Sequence, residues 1–183
     1  MRKVTLLAGI TLDGYIARRD DSLDYLEMTK EGSRDLAAVF NSADTIVMGR
    51  KTYDVSLKLM GGSYQAPGPK TETFVFSRKH PSGEHGGVIF TRQSPTAWLK
   101  RLRARRGKHI LHMGGGELAR EFLKADLIDE LFLGVVPILL GDGLPLFPAG
   151  FPQRDFSLVE NKTYSKNQIA LTYRRVRSKG KRK

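Results

Sequence analysis

The chain has 183 residues, enough for one domain with a sizeable core, and its 40% hydrophobic content excludes both a disordered and a membrane-embedded polypeptide. It contains no cysteine, which excludes a disulfide framework, a thiolate nucleophile and cysteine-ligated zinc, and suits a reducing, cytoplasmic setting. The formal charge is +12, but seven of the 31 Lys and Arg residues fall in Arg174–Lys183 without an acid among them, leaving 24 basic against 19 acidic residues, or +5, on the rest.

The N-terminus MRKVTLLAGITLDGYIA has two basic residues before an apolar stretch, but Thr5, Gly9, Thr11 and Asp13 interrupt it, so a strand over Val4–Ala8 is expected rather than a signal segment. LDGYIA and an acidic stretch from Asp20 to Glu31 follow. Ser33 can cap a helix that places Leu36, Ala37, Val39 and Phe40 on one face. Thr45–Met48 reads as a buried strand ending at Gly49, and Arg50-Lys51-Thr52-Tyr53 opens the next helix. A Gly- and Pro-rich loop spans Gly61–Lys70, and strands are expected over Thr73–Ser77 and Gly87–Phe90. Ser94-Pro95 starts a helix with Trp98, Leu99 and Leu102 inside, and the basic residues between Lys100 and Lys108 form its wet face and exit. His109–Met113 is a strand running into three glycines, and Glu117–Lys124 is helical.

Leu131–Val136 is a strand leading into PILLGDG, and Phe156–Tyr164 with Gln168–Val176 forms a hairpin turning at Ser165-Lys166-Asn167. Strand–helix units first and an antiparallel end afterwards predict an α/β, three-layer αβα domain over residues 1–177, with a mixed, mainly parallel sheet and helices on both faces. Residues 178–183 read as a basic tail. In such sheets ligands sit at the carboxyl ends of strands, so function should gather after Ala8, Met48, Ser77 and Met113.

Three of those ends carry anion-binding chemistry. After Gly49, the cations Arg50 and Lys51 and the Thr52 hydroxyl join the free N–H groups of a helix N-terminus. Gly114, Gly115 and Gly116 let the backbone approach a ligand while the helix from Glu117 aims its dipole back at it. Ser77 and Arg78 end a strand on the same edge. Residues 114–119 also satisfy a relaxed G-x-G-x-x-A pattern, but it follows several strands and lacks the acid of a Rossmann unit, so that fold is set aside. One ligand with separated phosphates, such as NADPH, accounts for all three ends. The four histidines show no metal spacing, no metal is expected, and His109 and His112 flank a buried strand in a structural role.

TLDGYIA, VMGRKTY, FVFSR and MGGGEL occur in the order and rough spacing of the dihydrofolate-reductase-like superfamily. PILLGDGLPLF followed by a hairpin resembles more specifically the reductase domain of bacterial riboflavin biosynthesis and its stand-alone relatives, over about residues 3–176. The resemblance implies an NADPH-dependent reductase of a small heterocycle, a ribosylamino-pyrimidine first and a pterin second, working as a homodimer. It implies that Ala8, Gly9, Ile16 and Ala17 line a nicotinamide pocket. Arg50, Lys51 and Thr52 would hold the pyrophosphate and 2′-phosphate, and Ser77 and Arg78 would flank the adenosine ribose. Gly114, Gly115, Gly116, Glu117 and Leu118 would run along the diphosphate and nicotinamide half. The cysteine-free chain lacks the zinc-deaminase signature of the bifunctional riboflavin enzyme, so a reductase module alone is expected. Dihydrofolate reductases place a carboxylate in the first helix; here Ser33 falls near that position, flanked by Glu31 and Asp35.

Hydride transfer from a cofactor needs no nucleophile, only orientation, exclusion of water and a proton for the product. Asp13, in the pocket loop, and Asp35 are the candidate proton donors, although the Asp of LDG more often shapes a turn. Two other readings compete: an NADPH-binding protein without turnover, and a nucleic-acid-binding protein using the tail and the 100–108 face. The latter basic runs have no interleaved aromatic residues for stacking on bases.

Overall fold

A computed structural model describes residues 1–177. In chain order it comprises β1 (Val4–Thr11), β2 (Tyr15–Ala17), α1 (Lys30–Asn41), β3 (Ala43–Gly49), α2 (Arg50–Leu59), β4 (Glu72–Phe76), β5 (Gly83–His85) and β6 (Val88–Thr91). These are followed by α3 (Pro95–Arg103), β7 (His109–Met113), α4 (Gly116–Lys124), β8 (Glu130–Val136), β9 (Leu144–Pro145), β10 (Phe156–Thr163) and β11 (Ile169–Arg175). Nine strands form one sheet in the order β10-β11-β8-β1-β7-β3-β4-β6-β5. The central strands are parallel, β11 runs antiparallel to β8 and β10, and β5 is an antiparallel edge beside β6. The mixed, mainly parallel αβα architecture is as expected, and the short β5 edge is an addition to it.

Two cores flank the sheet. One face packs β1, β7 and β8 residues against Trp98, Leu99 and Leu102 of α3 and Leu118, Ala119, Phe122 and Leu123 of α4. The other packs Leu7, Ile46, Met48, Val75 and Leu111 against Tyr53 of α2 and, at its margin, Leu36, Val39 and Phe40 of α1. His112 is fully buried in the first layer, edge-on to Phe122 at 4.9 Å, with no hydrogen-bond partner for either ring nitrogen among the described residues. Burial without a partner disfavours the imidazolium and pulls the His112 pKa down to about 4.

Local chemistry corrects two expectations. The first helix starts earlier than its apolar face: Thr29, not Ser33, is the N-cap, and its hydroxyl accepts from the Gly32 N–H at 3.0 Å. Lys30, Glu31 and Gly32 offer no apolar signal, so periodicity alone could not place that start. Nor does the excess charge counted from Arg174 onward all stand free. Arg174 and Arg175 belong to β11, and with Arg177 they pair to Glu130, Asp126 and Asp129. Arg103 likewise leaves the wet face of α3, donating to the Arg2 carbonyl at 3.0 Å and to Asp129 at 2.6 Å. The expected tail at 178–183 lies outside the described residues.

The clamp on Asp129 fixes the sheet's centre. Its Oδ2 accepts from the Val4 N–H at 2.9 Å, holding the first residue of β1, while Arg177 reaches its Oδ1 at 2.8 Å from beyond β11. The three neighbouring strands β11, β8 and β1 are thereby tied at one end, and their carboxyl-terminal or facing ends open into the site.

Candidate functional site

A cleft of about 1330 Å³ crosses the carboxyl ends of β1, β7, β3, β4 and β6. That exceeds the usual range for one small ligand, roughly 300–1,000 Å³, and leaves room for a cofactor and a substrate side by side. Every residue expected to hold the cofactor lines it: Ala8, Gly9, Ile16 and Ala17; Gly49 to Thr52; Ser77 and Arg78; and Gly114 to Leu118.

The helix ends explain why an anion suits this cleft. α1 and α3 start with side-chain caps, Thr29 accepting from Gly32 and Ser94 accepting from Ala97. α2 and α4 start with glycines, Gly49 and Gly115, and have no side-chain cap bond. Both uncapped N-termini line the cleft, through Gly49 to Thr52 and Gly115 to Leu118. Their N–H groups and dipoles are left for a ligand. They also meet each other, because a Cβ on Gly115 would stand 2.7 Å from the Thr52 hydroxyl oxygen. Gly115 has φ +76°, which favours glycine on its own account. Gly116 serves packing instead, since a Cβ there would stand 2.2 Å from the Pro145 carbonyl oxygen. Over Gly114 nothing lies within 4 Å, so the loop presents open backbone to the cleft.

Positive charge collects on the β3/β4/β6 side. Arg50, Lys51, Arg78, Lys79 and Arg92 all line the cleft there. Arg50 is about half exposed, bonds Asp54 at 2.7 Å, and lies 5.7 Å from the Phe90 ring centroid. Arg92 donates to the carbonyls of His80 and Lys79 at 2.9 and 3.0 Å, and the Ser77 hydroxyl accepts from the His80 N–H at 3.0 Å. These bonds fix the turn that carries Arg78 and Lys79. Sequence reasoning named Ser77 and Arg78 but missed Lys79 and Arg92, for Arg92 follows a different strand and reaches back across the sheet edge.

The carboxylates named as proton donors stand elsewhere. Asp13 is exposed and outside the lining. It accepts from Thr11 Oγ1 at 2.5 Å and from the Gly141 and Leu140 N–H groups at 2.8 and 3.3 Å, bonds that hold its carboxyl below the usual range. These bonds pin the LLGDG loop, in keeping with the turn-shaping role. Asp35 also lies outside the lining; it accepts from Lys162 Nζ at 2.8 Å and the Tyr164 hydroxyl at 2.7 Å, which depress its pKa too. Asp35 therefore acts as a bracket between α1 and the β10–β11 turn. Among the described residues no group of His, Asp and Glu side chains is arranged to hold a metal ion, and no helix is long and apolar enough to cross a membrane.

The other end of the cleft was not legible in the sequence. Leu26, Leu36, Phe40, Phe132, Tyr164 and Ile169 line it, drawn from the segment before α1, from α1 itself, from β8 and from the C-terminal hairpin. The hairpin turn is bound over α1 by Lys166 to Glu27, Ser165 to Glu31 at 3.1 Å, and Gln168 to the Glu27 carbonyl at 2.7 Å.

The family described as the RibD C-terminal domain matches residues 2–170. The uncharacterized protein YwjB of Bacillus subtilis (strain 168) is 35% identical over 147 residues, which cover 80% of this chain and 83% of YwjB. The crystal structure of a Shewanella sp. PV-4 protein named for riboflavin biosynthesis is similar at a TM-score of 0.81 and 27% identity, over 96% of this chain and 99% of that one. A Thermotoga maritima diaminohydroxyphosphoribosylaminopyrimidine deaminase/5-amino-6-(5-phosphoribosylamino)uracil reductase shares the fold at a TM-score of 0.70 and 18% identity, this chain covering 57% of it.

Proposed function

Because the chain belongs to the RibD C-terminal domain family, we propose that it is an NADPH-dependent reductase of a small cyclic substrate. One observation carries the reading. The two helix N-termini that lack side-chain caps face one cleft, with five basic side chains on its β3/β4/β6 side. A dinucleotide with a diphosphate and a further phosphate matches that distribution of donors and charge.

When bound, NADPH would supply a hydride to an electrophilic carbon of the substrate, whose oxygen or nitrogen would need one proton to complete the reduction. The chain's part is to bind and orient. The N–H groups at Gly49 and Gly115 and the cations Lys51 and Arg78 would hold phosphates. Ala8, Gly9, Ile16 and Ala17, at the central strand ends, would bound the nicotinamide and keep water from its face. Tyr164 lines the cleft, but its hydroxyl donates to Asp35, and burial with that carboxylate raises its pKa far above the ordinary phenol, so it keeps its proton.

Consumption of NADPH, followed by absorbance with a panel of pyrimidine, pteridine and quinone rings, tests the proposal. Turnover with at least one ring, and a preference for NADPH over NADH, is the expected result. Saturable NADPH binding without turnover of any ring would instead identify a cofactor-binding protein.

A further inference from the structure

Resting on the reductase reading, we propose that the substrate half of the cleft accepts a planar, uncharged ring that carries no phosphate. The floor of this half is flat. Gly9 of β1 pairs with Gly134 of β8, which pairs with Ala170 of β11, so three small residues lie in register across adjacent strands. All three line the cleft; a Cβ on Gly134 would meet nothing within 4 Å, while over Gly9 the Leu26 side chain bounds the slot, its Cδ1 2.8 Å from where a Cβ would stand. The surrounding walls are hydrocarbon and aromatic: Leu26, Leu36, Phe40, Phe132 and Ile169. A slot of this shape suits a ring lying face-down on the sheet.

Charge divides along the same line. Five of the six lining cations follow β3, β4 and β6, and the sixth, Arg120 on α4 after β7, pairs with Glu117 and Glu121; all lie on the far side of β1 from β8 and β11 in strand order. Among the described residues on the substrate side, no basic side chain lines the cleft. The nearby cations are spoken for: Lys162 pairs with Asp35, Lys166 with Glu27, Arg18 with Asp24 and Arg19 with Asp142. Lys30 and Arg34 are exposed on α1 and outside the lining. The segment leading into α1 is acidic, and its Asp21 lines the cleft. A phosphate placed here would lose water, gain no lining cation and face Asp21. Few polar groups remain to read the ring. Tyr164 gives its hydroxyl to Asp35, and Gln168 gives its Nε2 to the Glu27 carbonyl, keeping its amide oxygen as an acceptor for a ring N–H.

The test compares 5-amino-6-ribosylaminouracil with its 5′-phosphate, and adds menadione as a ring without ribose, all with the full chain and NADPH. The unphosphorylated compounds should be turned over, the nucleoside with kcat/KM at least about tenfold above its phosphate ester. Gly134→Leu fills the space over the floor and should raise KM for the ring by about tenfold or more, with NADPH affinity within about twofold of wild type; Gly134→Ala should fall between. A phosphate ester turned over as well as or better than the nucleoside overturns the inference, as does a folded Gly134→Leu with an unchanged KM. Those outcomes leave NADPH binding standing, whereas a wild-type chain that binds no NADPH overturns the reductase reading itself.

Discussion

Gly115 and Thr52 face each other across the junction of two helix N-termini, with room for a hydrogen but not for a methyl group: a Cβ on Gly115 would come within 2.7 Å of the Thr52 hydroxyl oxygen. The first residues of α2 and the cap of α4 are thus locked into one surface. Gly115→Ala combines that collision with a φ of +76° and should destabilise the fold by about 2 kcal/mol, with NADPH affinity falling about tenfold or more. Adding Thr52→Ala removes the collision but not the backbone strain. The double variant should recover part of the stability, and urea unfolding of the full cycle measures the coupling. Simple additivity would show that the two residues do not press on each other.

The histidine buried beneath the glycine loop should make stability depend on pH. His112 is neutral in the folded protein, with its pKa pulled down to about 4 by burial, whereas unfolded it titrates near its ordinary value. Between those values the unfolded chain binds the extra proton. Stability should be complete above the ordinary histidine pKa and decline as pH falls towards about 4, by on the order of 3 kcal/mol. His112→Leu removes two unpartnered ring nitrogens and should flatten this slope while leaving stability at neutral pH equal or higher. Chemical unfolding at several pH values reads both effects, and an unchanged slope would mean that the imidazole is charged or solvated in the folded state.

Asp129 joins the N-terminus of β1 to the segment after β11, and it is 8% exposed. Asp129→Ala leaves Arg103 and the Val4 N–H without their shared acceptor and should cost roughly 3 kcal/mol. Arg177→Ala removes a partner that is 41% exposed and should cost less than about 1 kcal/mol. The ratio of the two losses in urea unfolding checks the assignment; equal losses would place the clamp's strength in Arg177 instead.

The Asp35 bracket separates positioning from chemistry. Asp35→Asn should keep a hydrogen bond with the Tyr164 hydroxyl while weakening the Lys162 pair, so KM for a ring substrate should rise a few-fold with kcat within about twofold. Asp35→Ala should raise KM further. A collapse of kcat in the Asn variant, with KM unchanged, would restore the proton-donor role that the geometry takes from this carboxylate.

The cofactor half of the cleft was legible because its chemistry is local in sequence. VMGRKT and MGGGEL each write a strand end, a glycine and a helix start within six residues, and FVFSR ends the strand between them. The substrate half is assembled from distant pieces. Phe132 and Gly134 lie on the less obvious face of β8, and Ala170 acquires meaning only when β11 pairs against them. No spacing rule announces that register. The same limit left Asp13 open in the sequence: LDG suggested a pocket acid or, more often, a turn, and only the LLGDG loop folding back brings the Gly141 N–H to its carboxylate at 2.8 Å. The ion pairs of Arg174, Arg175 and Arg177 were not legible because their acidic partners lie more than forty positions away.

The central claim is that two uncapped helix N-termini and the basic strand ends beside them form an NADPH site. A fluorescence titration of NADPH and NADH into wild type and Arg50→Ala tests it most directly. Arg50 is exposed, and among the described residues its ion pair is with Asp54 on its own helix, so its removal should leave the fold intact. Wild type should bind NADPH saturably and about tenfold or more tighter than NADH, and Arg50→Ala should weaken NADPH by about tenfold while changing NADH little. Equal affinity for both cofactors, an equal loss in the variant, or no saturable NADPH binding would contradict the account.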